Sequence, residues 1–190
     1  ATGEAEQFAK INISFIGAGS YAQGNLLPNI PETNAVARVG VLTNTGTTSK
    51  RVAEKFKFQF CATKEEDVLD DKTNTVFVAT RHDSHGAYVL KSLEANKNVF
   101  VEKPLCLLES ELELIIEAQS KSKKAVMVGF NRRFSPLTSK LKKAIGNNPM
   151  TMIYRVNAGA IPGDNWIQDL EIGGGRVLGE VCHFIDYLTY

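Results

Sequence analysis

Three stretches of this 190-residue chain hold residue types and spacings suited to chemistry. The first is Gly17-Ala18-Gly19-Ser20-Tyr21-Ala22, which follows an apolar run and opens a helical stretch. In that setting a G-x-G-x-x-A pattern is a dinucleotide cradle. Gly17 permits the tight turn, Gly19 lets the backbone approach a pyrophosphate, and Ala22 allows close helix–strand packing, with the anion on the helix N-terminus. The second is Glu102-Lys103-Pro104, at the end of an apolar strand candidate. Lys103 supplies a cation that can hydrogen-bond a hydroxyl and favour developing alkoxide charge. Glu102 either pairs with that lysine or touches a nicotinamide ribose, and Pro104 holds its predecessor extended. The alternative is a surface Glu-Lys pair before a turn. The third is GEVCHFID, 179–186, where His183 has the titration range of a general base or acid. Glu180, three residues earlier, is placed to orient the imidazole, with Asp186 as an alternative partner or a solvated helix residue.

A dinucleotide fold usually adds an Asp or Glu about 20 residues beyond the glycines to bind the adenosine ribose. Here no carboxylate stands between Glu32 and Glu54, and the second strand candidate runs into Thr43-Asn44-Thr45. An acid would repel a 2′-phosphate; Thr43 and Asn44 would not. Ser49, Lys50 and Arg51 follow, either as further contacts or as solvated helix residues. The cofactor expectation is therefore NAD or NADP, inclined to NADP.

Those groups need a scaffold, and the apolar pattern supplies one. INISFI (11–16), VARVGVL (36–42), NTVFVAT (74–80), NVFVEK (98–103) and AVMVGF (125–130) read as strands. Helical stretches lie between them: SKRVAEKF, a short helix over 64–70, SHGAYVLKSLEANK and LELIIEAQSKSK. Thr63 with Glu66 and Ser110 with Glu113 have the spacing of capping boxes. Strands alternating with helices of this length predict βαβ units and a parallel, Rossmann-type α/β sheet. After Phe130 the rhythm changes to a turn, NRRFSP, a helix, LTSKLKKAI, and a long strand candidate, MTMIYRVNAG (150–159). An irregular loop, IPGDNWIQDLEIGGG, then leads to a helix from near Arg176. One strand and two helices cannot build a core alone. The expected division is a lead-in or linker over 1–10, a dinucleotide-binding domain over 11–130, and over 131–190 the truncated start of an α+β substrate and oligomerisation domain.

Composition removes several classes of function. With 43% hydrophobic and 23% charged residues and a net charge of +1, the chain has no basic stripe for a phosphate backbone, so no nucleic-acid partner is expected. No apolar run reaches the roughly 20 residues that span a bilayer, and the opening lacks a signal-peptide pattern. Its three cysteines form no C-x-x-C pair, which points to a reducing, cytoplasmic setting with no metal site and no disulfide framework.

The GAGSYA turn, TRHDSHGAYVLKSLEANKNVFVEKPL (80–105), VGFNRRFSP (128–136) and GGGRVLGEVCHFID together resemble the glucose–fructose oxidoreductase, inositol dehydrogenase and rhizopine catabolism protein family, over about residues 11–190. In finer detail the chain resembles the dehydrogenase module of two-domain bacterial proteins with an upstream zinc-type alcohol-dehydrogenase-like domain. The resemblance implies that Lys103 is the active-site lysine, often before a cis proline, and that His183 is the catalytic histidine. It implies an aspartate four residues before that histidine, where this chain has Gly179. It implies that the segment of Thr80 and His85 borders the cofactor, His85 either in contact or as a structural residue. Of Arg132 and Arg133, one is expected to reach the nicotinamide or the substrate, assigned to Arg133, and the other to form a crossover salt bridge. In the long loop, Trp166 suits stacking on a sugar face or anchoring the loop, with Asn165 and Asp169 counted beside it as substrate-binding candidates. The expected activity is hydride transfer between NAD(P) and a secondary hydroxyl or keto group of a sugar, cyclitol or nucleotide-sugar, in a homo-oligomer paired through the second domain. The alternative is a non-catalytic nucleotide-binding or regulatory module on the same fold.

Overall fold

The computed structural model describes residues 10–146 and 149–190, so the expected lead-in lies outside it except for Lys10. Six strands form one parallel sheet: β1 (Ile11–Ile16), β2 (Val36–Leu42), β3 (Phe60–Cys61), β4 (Thr75–Val78), β5 (Asn98–Val101) and β6 (Val126–Val128). Their order is β3-β2-β1-β4-β5-β6. The chain starts in the middle, winds to one edge, then crosses back past β1 to the other. That reversal between β1 and β4 is the switch point at which doubly wound sheets bind ligands, outside the carboxyl ends of the strands.

The apolar runs explain the sheet. β4 and β5 alternate buried and half-buried residues, as strands covered on both faces do. Phe15, Phe77 and Phe100 are in register on β1, β4 and β5 and stack with centroids 4.8 and 4.9 Å apart. Phe15 is fully buried, and cutting it to alanine would cost about 3–5 kcal/mol. Two buried clusters flank the sheet. One joins Phe15 and Val41 to Leu27 and to Val52 of α1 (Gly46–Phe56). The other joins Val76 and Val99 to Val68 of α2 (Glu65–Val68), Val89 of α3 (His85–Glu94) and Ile115 of α4 (Glu109–Ser122). At the carboxyl edge, Gly17 N donates to Leu42 O and Ala79 N to Ile16 O, both at 2.8 Å, which fixes the β1 turn against its neighbours.

Several local expectations are corrected. β3 was not anticipated; two residues are too short to show a period. The capping carboxylates are Asp67, accepting from Thr63 N and Lys64 N, and Glu111, accepting from Leu107 N and Leu108 N, rather than Glu66 and Glu113. Each lies three residues beyond the true N-caps, Lys64 and Leu108, so the box spacing holds while its register moves. Residues 151–160 form no strand and are exposed. Apolar alternation alone does not make a strand; a ladder partner is needed, and none is present among the described residues.

Beyond the sheet come a 3-10 turn (Asn131–Phe134), α5 (Pro136–Ile145), the extended segment, a second 3-10 turn (Trp166–Gln168) and a final helix. That helix, 175–189, has a π-helical turn, Val177–Val181, after its first two residues and continues as α6 (Cys182–Thr189). The segment 166–189 folds back over the carboxyl edge of the sheet. Asp83 N donates to Ile172 O at 3.0 Å, and Arg133 forms an ion pair with the buried Asp186.

Candidate active site

The phosphate turn is built as the glycines demand. Gly17 has φ +84°, and a Cβ there would lie 2.5 Å from Ala79 O, so no other residue fits without moving the sheet. Around Gly19 a Cβ would meet nothing within 4 Å, which leaves its backbone open to an incoming anion. Ala18 and Ala22 are buried against the sheet, while Ser20 and Tyr21 are exposed at the start of the helical stretch. This cradle fits a pyrophosphate. Beside it, a cavity of about 450 Å³ is bordered by Gly17, Thr43, Asn44 and α2. The Thr43 hydroxyl is already occupied, donating to Thr45 O at 3.0 Å and lying 3.0 Å from Ser49 Oγ. Ser49 is buried and serves this turn, not the cavity. The carboxylates missing from the end of β2 arrive from elsewhere: Glu65 and Glu66 of α2 border the same cavity, Glu65 held by Lys91.

A second cavity, of about 350 Å³, lies at the switch point and joins Gly19 and Tyr21 to Glu102, Lys103, Trp166 and His183. Lys103 follows β5, and its peptide bond to Pro104 is cis, as the resemblance implied. Its Nζ donates to Gly179 O at 2.5 Å, joining the sheet edge to the π-helical turn. An ammonium has three donors, so two remain for another oxygen. Burial raises Glu102 to about 6, against the opposing effect of Lys103. Burial likewise raises Tyr21, with the Glu102 charge adding to it, and the Tyr21 hydroxyl accepts from Asn131 Nδ2 at 3.3 Å.

His183 reaches the same cavity from α6 and meets Phe130 edge-on at 6.0 Å. Burial, reinforced by the charges of Lys103 and Arg132, lowers it to about 4, so the ring is neutral at pH 7. Its Nδ1 is buried with no partner among the described residues. Glu180 is not that partner: its carboxylate accepts from Arg176 Nε and Nη2 at 3.1 and 3.0 Å. An arginine four residues before it on the same helix offers a two-pronged site that an imidazole cannot match. Asp186 is not the partner either, because Arg133 holds it, with Nε 3.0 Å from Oδ2.

That pair also corrects Arg133, whose guanidinium joins the 3-10 turn after β6 to α6. It is the crossover salt bridge, while Arg132 lies over the Phe184 ring at 4.7 Å. Asn165 and Asp169 each commit one oxygen to the loop itself. Asn165 Oδ1 accepts from Ile167 N at 3.1 Å, and Asp169 Oδ1 accepts from Glu171 N and Ile172 N at 2.8 and 3.1 Å. Short polar side chains in a turn satisfy nearby N–H groups first. Trp166 does reach the cavity. Thr80 borders both cavities and accepts from Ser84 Oγ at 2.7 Å. His85 is fully buried between two carbonyls, Nδ1 2.7 Å from Pro104 O and Nε2 3.2 Å from Thr80 O, and burial lowers its pKa. It braces the turn that presents Lys103.

One residue escaped sequence reading. His82 is 6% exposed, borders the cavity and places Nδ1 2.8 Å from Gly173 O. The available signal was its spacing of three from His85 across a helical start. Among the described residues no cluster of His, Cys, Asp and Glu could hold a metal, and no helix is long and apolar enough to cross a membrane.

Comparison with known proteins adds to this geometry. A family profile described as "Oxidoreductase family, NAD-binding Rossmann fold" matches residues 11–130. Oxidoreductase P35 of Formosa agariphila is 27% identical over 96% of this chain and 60% of its own length. Myo-inositol 2-dehydrogenase of Thermotoga maritima is 29% identical over 66% of this chain and 38% of its own. A levoglucosan dehydrogenase solved with NADH and levoglucosan superposes with a TM-score of 0.81 at 22% identity, covering 95% of this chain and 54% of that one. The chain thus spans 38–60% of the length of these relatives.

Proposed function

Because the chain belongs to this family of oxidoreductases with an NAD-binding Rossmann fold, known as Gfo/Idh/MocA, we propose that it is the cofactor-binding part of an NAD(P)-dependent oxidoreductase. The substrate is a secondary hydroxyl or keto group of a sugar, cyclitol or nucleotide-sugar, as the names of the relatives support. The observation that carries the reading is that Lys103 and His183, brought from different elements, border one cavity with the open backbone of Gly19. Residues 11–130 are the dinucleotide domain, and 131–190 begin the substrate domain through which the whole protein pairs with itself. An upstream zinc-type alcohol-dehydrogenase-like domain belongs to the same proposal, and the sequence preceding residue 1 tests it.

When bound, the nicotinamide accepts or returns the hydride at C4. Gly17 and Gly19 would hold the pyrophosphate, and Tyr21, Thr80 and Glu102, which line the cavity beside them, would border the nicotinamide. The Lys103 ammonium donates to the reacting oxygen and stabilises its developing charge. With the cofactor bound, neutral His183 would be the group that takes the hydroxyl proton while the hydride left the carbinol carbon for the nicotinamide, the alcohol becoming a ketone. The uncharged Thr43 and Asn44 incline the site to NADP, and Glu66 on α2 acts the other way. Fluorescence titration with NADH and NADPH decides between them.

Replacing Lys103 with alanine in the full-length protein should lower kcat/KM by about 10²-fold or more while NADH still binds. Unchanged turnover on an identified substrate would remove the assigned chemistry. The second reading, a non-catalytic nucleotide-binding module, is favoured by the unpartnered Nδ1 of His183 and by Glu180 being engaged with Arg176. NADH binding without turnover on any polyol or keto-sugar would select it.

A further inference from the structure

His82 stands in the cavity with Lys103 and His183, and the hydride-transfer scheme gives it no task. Its ring is held in one orientation and one tautomer. Gly173 O only accepts, so with Nδ1 2.8 Å from it the proton of a neutral ring sits on Nδ1. Trp166 meets the ring edge-on, centroids 4.8 Å apart. Residue 179, which lies beside this ring, is glycine: a Cβ there would come 3.1 Å from Ile167 Cγ1 and 3.3 Å from His82 Cε1. Nε2, bonded to that Cε1, has no hydrogen-bond partner among the described residues, and it is not sealed in as His183 Nδ1 is.

Resting on the oxidoreductase reading above, we infer that His82 Nε2 accepts a hydrogen bond from a second substrate hydroxyl, next to the carbon that reacts at Lys103. The substrate class narrows accordingly to a polyol with a free O–H beside the reacting one. The reacting hydroxyl has a single proton, which goes to His183 in the scheme above, so the O–H that donates to His82 belongs to a second hydroxyl, and holding both turns the sugar ring and aims its carbinol hydrogen. A carboxylate or phosphate at that position has no proton to give and would face a lone pair. Burial lowers the His82 pKa to about 4, which keeps the acceptor available throughout the neutral range.

The test uses the full-length protein saturated with NADH and labelled with ¹⁵N-histidine, His82 being assigned by its loss in His82→Gln. Long-range ¹H–¹⁵N spectra should show the Nδ1–H tautomer, with the Nε2 resonance moving upfield on addition of levoglucosan or myo-inositol. His82→Phe should raise the Kd for the polyol by about tenfold with the NADH Kd unchanged within about twofold. His82→Gln, whose amide oxygen accepts, should recover part of that loss. An Nε2–H tautomer, an unmoved Nε2 at saturating polyol, equal polyol affinity in His82→Phe, or no polyol binding to the NADH-loaded protein each overturns the inference. Failure to bind NADH at all is a different result: it removes the oxidoreductase reading and this inference with it.

Discussion

Gly17 and Gly19 belong to one motif and are required for different reasons. At 17 the backbone is left-handed and a Cβ would strike Ala79 O and C, 2.5 and 2.6 Å away. Gly17→Ala should therefore destabilise the fold by at least the roughly 1–2 kcal/mol of an αL alanine, read as a lowered urea midpoint. At 19 nothing stands within 4 Å, so Gly19→Ala should fold with an unchanged midpoint and bind NADH at least about tenfold more weakly. Equal NADH affinity in Gly19→Ala would argue against a pyrophosphate at this turn. The sequence could name both glycines because a turn of this kind leaves a local pattern. Arg133, Asn165 and Asp169 are expected at the site with the resemblance and Glu180 from its spacing to His183, and each also holds a neighbour that only the fold reveals.

Helix 175–189 illustrates how an element can be legible in outline and unreadable in detail. Its existence follows from the apolar spacing of GGGRVLGEVCHFID, but its π-helical turn does not, and that turn bears the Gly179 carbonyl that accepts from Lys103. Such turns recur at functional sites because they redirect backbone groups. The helix is secured by Arg133 to Asp186, the latter 9% exposed. Asp186→Asn should leave the guanidinium short of its counter-charge and destabilise the segment carrying His183 by about 1 kcal/mol, because the Arg133 left behind is partly solvated. Hydrogen exchange should then quicken in 176–189 and stay slow in β1, β4 and β5. Uniform quickening through the sheet would show that this helix and the sheet open as one unit.

At the scale of the whole molecule, two buried histidines, His82 and His85, and the half-buried His183 set the response to acid. His82 and His183 are lowered to about 4 from 6.5, chiefly by burial, and His85 is lowered for the same reason. On His82 and His183 the unfolded chain binds protons below 6.5 and the folded chain does not until about 4, and His85 acts in the same direction. Their contribution is whole above pH 6.5 and lost as pH falls from 6.5 towards 4. Glu102, raised to about 6, opposes this only in the narrower window between 4.5 and 6. The expected outcome is a Tm that falls between pH 6.5 and 4, less steeply in His82→Gln, measured by calorimetry. A Tm that rises in that range would mean the rings are charged in the folded protein.

By itself the sequence determined the parallel α/β sheet and the phosphate turn, and it singled out Lys103 and His183 as candidates. Each leaves a short-range mark: strand and helix periods, glycine spacing, a motif at a strand end. Only the tertiary structure decided which polar groups are free to meet a ligand. Pairing depends on residues far apart in the chain, as with Lys103 and Gly179, Arg133 and Asp186, and His82 and Gly173. It also decided that 151–160 is not a strand, since a ladder needs a neighbour that alternation within one segment cannot supply. His82 entered the site the same way, through a carbonyl 91 residues distant that fixes its tautomer.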